Sequence, residues 1–214
     1  MTVAEKLTAI GENMPRIYAA GQGDSSLQYA ARPEGLFWGS VFPAGYHAVV
    51  NMPQAMTSQG IFEMFRAAKG LEALTFSVPT ADAWNARHFL YLCTSIRELT
   101  LPEGMKFSNF ESFVNGCSAL RVIRGAIDLT ESSSNANAFS GCTELTQVRF
   151  QPESIRLSIE FPKSQKLSEA SVASILAGLA TVETTQTLTL HDTVKATLTN
   201  AQIAALEAKN WQLL

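Results

Sequence analysis

Cys117-Ser118-Ala119-Leu120-Arg121-Val122-Ile123 is the stretch on which the fold turns, because the chain repeats its frame. Ala68-Lys69-Gly70-Leu71-Glu72-Ala73-Leu74, Cys93-Thr94-Ser95-Ile96-Arg97-Glu98-Leu99 and Cys142-Thr143-Glu144-Leu145-Thr146-Gln147-Val148 carry the same small and aliphatic positions. The four frames begin 25, 24 and 25 residues apart. An apolar residue stands three positions ahead of each small one: Phe65, Leu90, Val114 and Phe139.

A spacing of about 20–29 residues with an L-x-x-L-x-L core is the mark of a leucine-rich solenoid. Leu71/Leu74/Phe76, Ile96/Leu99/Leu101 and Leu145/Val148/Phe150 complete that core, whereas Leu120/Ile123 runs into Gly125 and breaks there. No single unit of this size buries its apolar face alone, so neighbours must share one core and their strands must stack in parallel. Leu99 is then a core position, and any departure from regularity belongs at Gly125. Pro102, Pro152 and, with slightly different spacing, Pro79 follow the cores and read as corners, since proline ends a hydrogen-bonded ladder.

The run Phe139-Ser140-Gly141-Cys142-Thr143-Glu144-Leu145-Thr146-Gln147-Val148-Arg149-Phe150-Gln151-Pro152 resembles the BspA-like leucine-rich repeat family. The resemblance spans residues 61–161; Ala68 stands where the family has Cys, and the third copy lacks its last aliphatic and its proline. It implies a protein of gut or oral bacteria, often secreted or at the cell surface, or one encoded by a phage or prophage. It also implies a binding role rather than catalysis.

The chain of 214 residues carries 16% charged residues and a net charge of −3, which argues against nucleic acid as an obligate partner. No run of 18 apolar residues exists to span a membrane. The N-terminus lacks a basic region followed by an apolar run, so no secretory signal is visible. Cys93, Cys117 and Cys142 fall on one repeat column and read as small inward spacers, because a free Cys packs as a small apolar group.

The chain divides into three parts: a helix and connector at 1–35, the solenoid at 36–166 and a helix–strand–helix cap at 167–214. In the first, Thr2-x-x-Glu5 is a capping box, and Val3, Leu7, Ile10, Met14 and Ile17 recur at heptad-like spacing, a candidate self-association stripe. Pro15 would kink that helix. In the second, Phe37, Trp38, Phe42 and Tyr46 close the open end, and Tyr46-x-x-Val49, with Pro53 after it, precedes Leu71-x-x-Leu74 by 25 residues as a degenerate first unit. Asp82-Ala83-Trp84-Asn85 reads as a polar turn, and residues 130–137 as a solvated loop. Leu157, Ile159 and Phe161 alternate as a strand.

In the third part, Ser168 caps a helix with Val172, Ile175, Leu176 and Leu179 on one face. A strand comes next at Thr187–Leu190, and Thr199-x-x-Gln202 opens a second helix carrying Ile203 and Leu206. Asn210 ends that helix in a left-handed conformation before a last strand from Trp211. The opening Ala4–Thr8 with Ile17–Gly21, and the closing Leu198–Ile203 with Lys209–Trp211, resemble the leader and tail of phage-type repeat proteins.

His47, His88 and His191 are isolated, and no triad, metal motif or phosphate loop is present, so no cofactor or metal is expected. Function then falls to the strand face turned from the core. Its columns are Thr75/Thr100/Arg124/Arg149, Ala73/Glu98/Val122/Gln147 and Glu72/Arg97/Arg121/Thr146. Arg97, Arg121, Arg124 and Arg149 form a small basic patch there, with Arg124 and Arg149 adjacent and Glu98 beside them. The expected role is a non-enzymatic binding module for a protein or glycan. The alternative is a tail-associated virion protein that assembles through residues 1–20.

Overall fold

The computed structural model describes residues 37–51, 61–77 and 82–214. The expected N-terminal helix, its capping box, its heptad stripe, Pro53 and Pro79 lie outside the described residues.

Alternation builds the strands. In β2 (Lys69–Ser77) Leu71, Leu74 and Phe76 are buried while Thr75 is exposed. In β4 (Glu98–Thr100) Leu99 is buried between exposed Glu98 and half-buried Thr100. In β7 (Gln147–Phe150) Val148 and Phe150 point in, and Gln147 and Arg149 point out. Successive side chains of a strand face opposite ways, so this pattern allows only one face to meet the core.

These strands join β1 (Val41–Asn51), β3 (Trp84–Asn85), β5 (Met105–Asn109) and β6 (Val122–Asp128) in a seven-stranded parallel sheet. Its order is β1-β2-β4-β6-β5-β3, with β7 also on β6. A second parallel sheet contains β8 (Ile159–Phe161), β9 (Gln186–Leu190) and β10 (Trp211–Leu213), in the order β10-β9-β8. Among the described residues helices are few: α1 (Glu169–Gly178), the single turn α2 (Asp192–Lys195) and α3 (Asn200–Ala208). The architecture is α/β, mostly parallel and not closed into a barrel.

The inner surface is lined by a spine of aromatic rings. Phe37 stacks on Phe65 at 4.9 Å, Phe89 on Phe113 at 5.5 Å, and Phe139 on Phe161 at 4.5 Å. An edge contact joins Phe65 to Phe89, and Phe110, stacked on Phe113, meets Phe139 at a tilt. The turns opposite the strands carry backbone hydrogen bonds between neighbours, as in Phe65 N to Phe89 O, Leu90 N to Phe113 O and Val114 N to Ala138 O. Cys93, Cys117 and Cys142 are fully buried on this side. Each does more than fill space: its thiol donates to the carbonyl of Phe65, Leu90 or Val114, at 2.8, 3.0 and 3.2 Å.

Burial pushes the Cys93 and Cys142 thiols up to about 12, a neighbouring backbone amide partly offsetting it, and raises Cys117 well above its ordinary value, with help from the flanking cysteines. Reactivity belongs to the thiolate, so the folded protein should leave all three thiols unlabelled by a soluble disulfide reagent at pH 8. Full labelling should appear only in denaturant. Rapid labelling of even one thiol in the native protein would show that the column opens to solvent.

Several expectations need correction. Asp82–Asn85 is not simply a turn: Trp84 and Asn85 form β3, and Trp84 is fully buried. Tyr46 pairs with Leu71 as expected, but the register then slips, so Ala48 lies beside Leu74 and is buried. Val49 pairs with Thr75 and faces solvent instead. Residues 130–137 are a loop with most of its residues exposed, as expected, but one pinned to the neighbouring turn. Ser133 donates through both its amide and its hydroxyl to Ser108 O, while Ser134 O and Ala136 O receive Phe110 N and Ser112 N. Leu157 lies outside β8 and is half-buried.

The C-terminal part obeys its sequence signals. Ser168 accepts from Ser171 N at the start of α1, and both bonds of the Thr199–Gln202 capping box are present at α3. Asn210 is left-handed, with φ 67°. Ser171 Oγ accepts from Val148 N, and Ser174 Oγ accepts from Phe150 N, both at 3.0 Å. Two hydroxyls one turn apart on α1 thus satisfy amides of β7 that would otherwise invite another strand.

Candidate functional site

The outward strand face is built as the columns require, up to one position. Ala73, Glu98, Val122 and Gln147 are successive partners, as are Thr75, Thr100 and Arg124. Arg97 N donates to Glu72 O, Arg121 N to Arg97 O and Thr146 N to Arg121 O, which completes the third column.

Arg149 departs from its column. Gly125, at φ 85°, lies where β6 bulges, and the pairing with β7 shifts by two residues between Val122 and Ala126. Arg149 therefore pairs with Ala126 rather than Arg124, and the expected like-charge contact between the two arginines is replaced. The same bulge sends Ala126 N to Glu103 Oε2 at 3.2 Å, and Glu103 Oε2 also accepts from Arg149 Nη2 at 2.8 Å.

The patch is charge-matched rather than basic. Arg97 lies 3.5 Å from Glu72, Arg124 lies 3.6 Å from Glu98, and Arg149 meets Glu103. Arg121 adds its charge to the Lys166 hydrogen bond that, against partial burial, lowers the Glu144 carboxyl below its ordinary value. These side chains are about half exposed, so each pair contributes little to stability and its members can exchange partners at small cost. Arg124 and Arg149 still come together across a groove of about 330 Å³, closed on its other side by Ser168, Ala170 and Ser171 at the start of α1. Arg97 and Arg121 lie outside that groove's lining.

A second polar cluster is not legible in the linear sequence. His88 Nδ1 lies 3.3 Å from Glu63 Oε1 and its Nε2 lies 4.0 Å from Glu111 Oε1. Glu63 also accepts from Arg66, Glu111 faces Arg87 at 3.5 Å, and the Arg66 guanidinium lies between the rings of Trp38 and Tyr91, at 4.7 and 5.1 Å. The signal is present only in the spacing, since Glu63 and His88 occupy equivalent turn positions, both left-handed at φ 55°. Isolation in sequence conceals a contact between neighbouring turns.

Burial raises the Glu63 carboxyl, but the hydrogen bonds from Arg66 and His88 and their charges outweigh it and hold the group below its ordinary value of 4.5. A carboxyl lowered by folding stabilises the native state above its unfolded pKa, and that contribution is lost as pH falls through the folded pKa. Glu63→Gln should therefore be less stable than the parent at neutral pH and lose less stability below pH 4.5. Parallel acid-unfolding slopes for the two proteins, monitored by circular dichroism, would contradict the assigned contacts.

Among the described residues no group of three His, Cys, Asp or Glu is arranged to hold a metal ion. No described helix is long and apolar enough to cross a membrane. No protein-family model, no curated protein and no solved structure matches the chain.

Proposed function

We propose that this chain is a non-enzymatic binding module, a leucine-rich-repeat solenoid of the BspA-like type. Its outward strand face meets a protein or glycan partner at a cell surface or outside the cell. Supporting the solenoid reading, equivalent frame residues lie side by side: Leu74 with Leu99, Leu99 with Ile123, and Val122 with Gln147. The binding role rests chiefly on the groove where Arg124 and Arg149 converge beside α1. Both guanidiniums carry forked donors on an otherwise ordered surface, and each is tied only to an exposed carboxylate that an incoming anion can displace.

The test is a panel of arrayed neutral and anionic glycans and peptides, probed with the full chain and with the Arg121→Ala, Arg124→Ala, Arg149→Ala triple variant. At least one probe is expected to bind the parent and to lose about tenfold or more in affinity to the variant, as removal of charge-assisted bonds implies. Unchanged binding by the variant, or no binding by the parent, would sink the arginine face as the site.

One observation favours a second reading, the virion structural protein that assembles through residues 1–20. Trp38, Val41 and Val49 are 54%, 67% and 67% exposed around β1, which stands at one end of its sheet among the described residues. Exposed apolar groups at a sheet end suit a contact with another copy. The mass of the full chain in solution separates the readings. A monomer supports the binding module, and a dimer or trimer lost on deleting residues 1–20 supports assembly.

A further inference from the structure

A cleft of about 350 Å³ opens between residues 133–137 and the outward face of β8 and β9. It shares no lining residue with the groove at Arg124 and Arg149, so a ligand can occupy the cleft whether or not the arginines bind. Ile159, Phe161, Leu188 and Leu190 are buried, and strand alternation therefore turns Ser158, Glu160, Thr187 and Thr189 outward into the cleft.

Part of this wall is already fixed. Gln186 Oε1 accepts from both the amide and the hydroxyl of Ser158, at 2.8 and 2.9 Å, and Ser158 Oγ in turn accepts from Thr187 N at 2.9 Å. The other wall is fixed by the bonds of residues 133–136 to Ser108, Phe110 and Ser112. Both sides are thus ordered before any ligand arrives, which lowers the cost of binding.

The polar groups that the wall leaves unused define the ligand. The Glu160 carboxylate and the Thr187 and Thr189 hydroxyls are only half-exposed, yet none has a side-chain partner among the described residues; nor does the Asn137 amide. Asn135, 2% exposed, also lines the cleft. It spends its Nδ2 on Leu157 O, while its Oδ1 is the buried side-chain atom without a partner among the described residues. The lining carries one carboxylate and no cation, so it repels anions. Its hydroxyls donate and accept, the carboxylate accepts strongly, and half-buried Leu157 adds apolar surface. Adjacent hydroxyls on a ring with apolar C–H faces match that set, and the volume falls at the small end of ligand sites, of roughly 300–1,000 Å³.

We propose that this cleft recognises a neutral sugar residue, its hydroxyls donating to Glu160 and exchanging hydrogen bonds with Thr187, Thr189 and Asn137. The test is an amide ¹H–¹⁵N titration of the full chain with the methyl glycosides of glucose, galactose, mannose and N-acetylglucosamine, each to about 50 mM, a range that captures millimolar affinity. Methylammonium and acetate serve as charged controls.

The expected result is saturable shifts from at least one sugar, clustered on residues 133–137, 158–160 and 186–189. Binding should be about tenfold weaker in Glu160→Gln, as loss of a charge-assisted bond implies, and absent in Thr187→Arg. An otherwise unchanged spectrum shows that each variant is folded. Three results would overturn the proposal: no saturable sugar shift, equal binding by both folded variants, or shifts from methylammonium or acetate with none from a sugar.

Discussion

Gly125→Ala is expected to cost about 2–5 kcal/mol, combining about 1–2 for a left-handed non-glycine residue and about 1–3 for forced overlap. The position leaves a side chain no room. A Cβ there would fall within contact distance of the Leu101 carbonyl oxygen and 3.0 Å from that of Pro102. Both are backbone atoms, held by the bonds Leu101 N to Arg124 O and Gly104 N to Ala126 O that flank the bulge. Relief requires opening the ladder between neighbouring strands, and with it the Glu103 bonds to Ala126 and Arg149.

Gly39→Ala is the control. Gly39 is also left-handed, at φ 64°, but a Cβ added there meets nothing within 4 Å, so only the conformational cost of about 1–2 kcal/mol applies. Urea unfolding of both variants measures the difference. Equal losses would mean that the chain does not approach Gly125 closely, and that the bulge and the placement of Arg149 are wrong.

Leu99→Ala is expected to lose about 2–5 kcal/mol, the range for a buried leucine truncated in a packed core. Leu99 is fully buried on β4, paired with Leu74 on one side and Ile123 on the other. Strands on both sides hold the backbone in place, so the cavity cannot collapse and the cost belongs toward the top of that range. Thr100→Ala, one residue along on the outward face, should change stability by less than about 0.5 kcal/mol. A loss of similar size at the two positions would mean that the strand does not present alternate faces, and the register of the sheet would fall with it.

Much of the inner face is legible because its signal is local. Alternation within β2, β4 and β7 assigns core and surface residue by residue, and the Cys column stands out by position. The helix caps at Ser168 and Thr199 are legible for the same reason, since donor and acceptor lie three residues apart. Trp84 reads wrongly as part of a turn because the polar residues around it carry turn signals, and only packing rewards burying the indole. Residues 130–137 are legible as a loop by composition, but not the backbone bonds that tie it to residues 108–112, a relation composition does not contain.

The candidate site is less legible than the core. The sequence places Arg97, Arg121 and Arg124 on the outward face with Glu72 and Glu98 among them, but not Glu103, the carboxylate that meets Arg149. Arg149 shows why: a two-residue shift around Gly125 moves its partner from Arg124 to Ala126 and brings Glu103 within reach. The slip after Tyr46 acts likewise, turning Val49 to solvent and Ala48 inward. Side chains of a strand alternate with a period of two, so a shift of one or two residues in register changes every later neighbour while leaving the local pattern intact.

Sequence alone thus determined which residues of β2, β4, β7 and β8 face inward and where the C-terminal helices begin. Tertiary structure decided which charges are paired, which hydroxyls close the edge of β7, and where the cleft beside Glu160 opens. Those outcomes depend on the registry between segments about 25 residues apart, and registry is set by the packing of whole neighbouring strands.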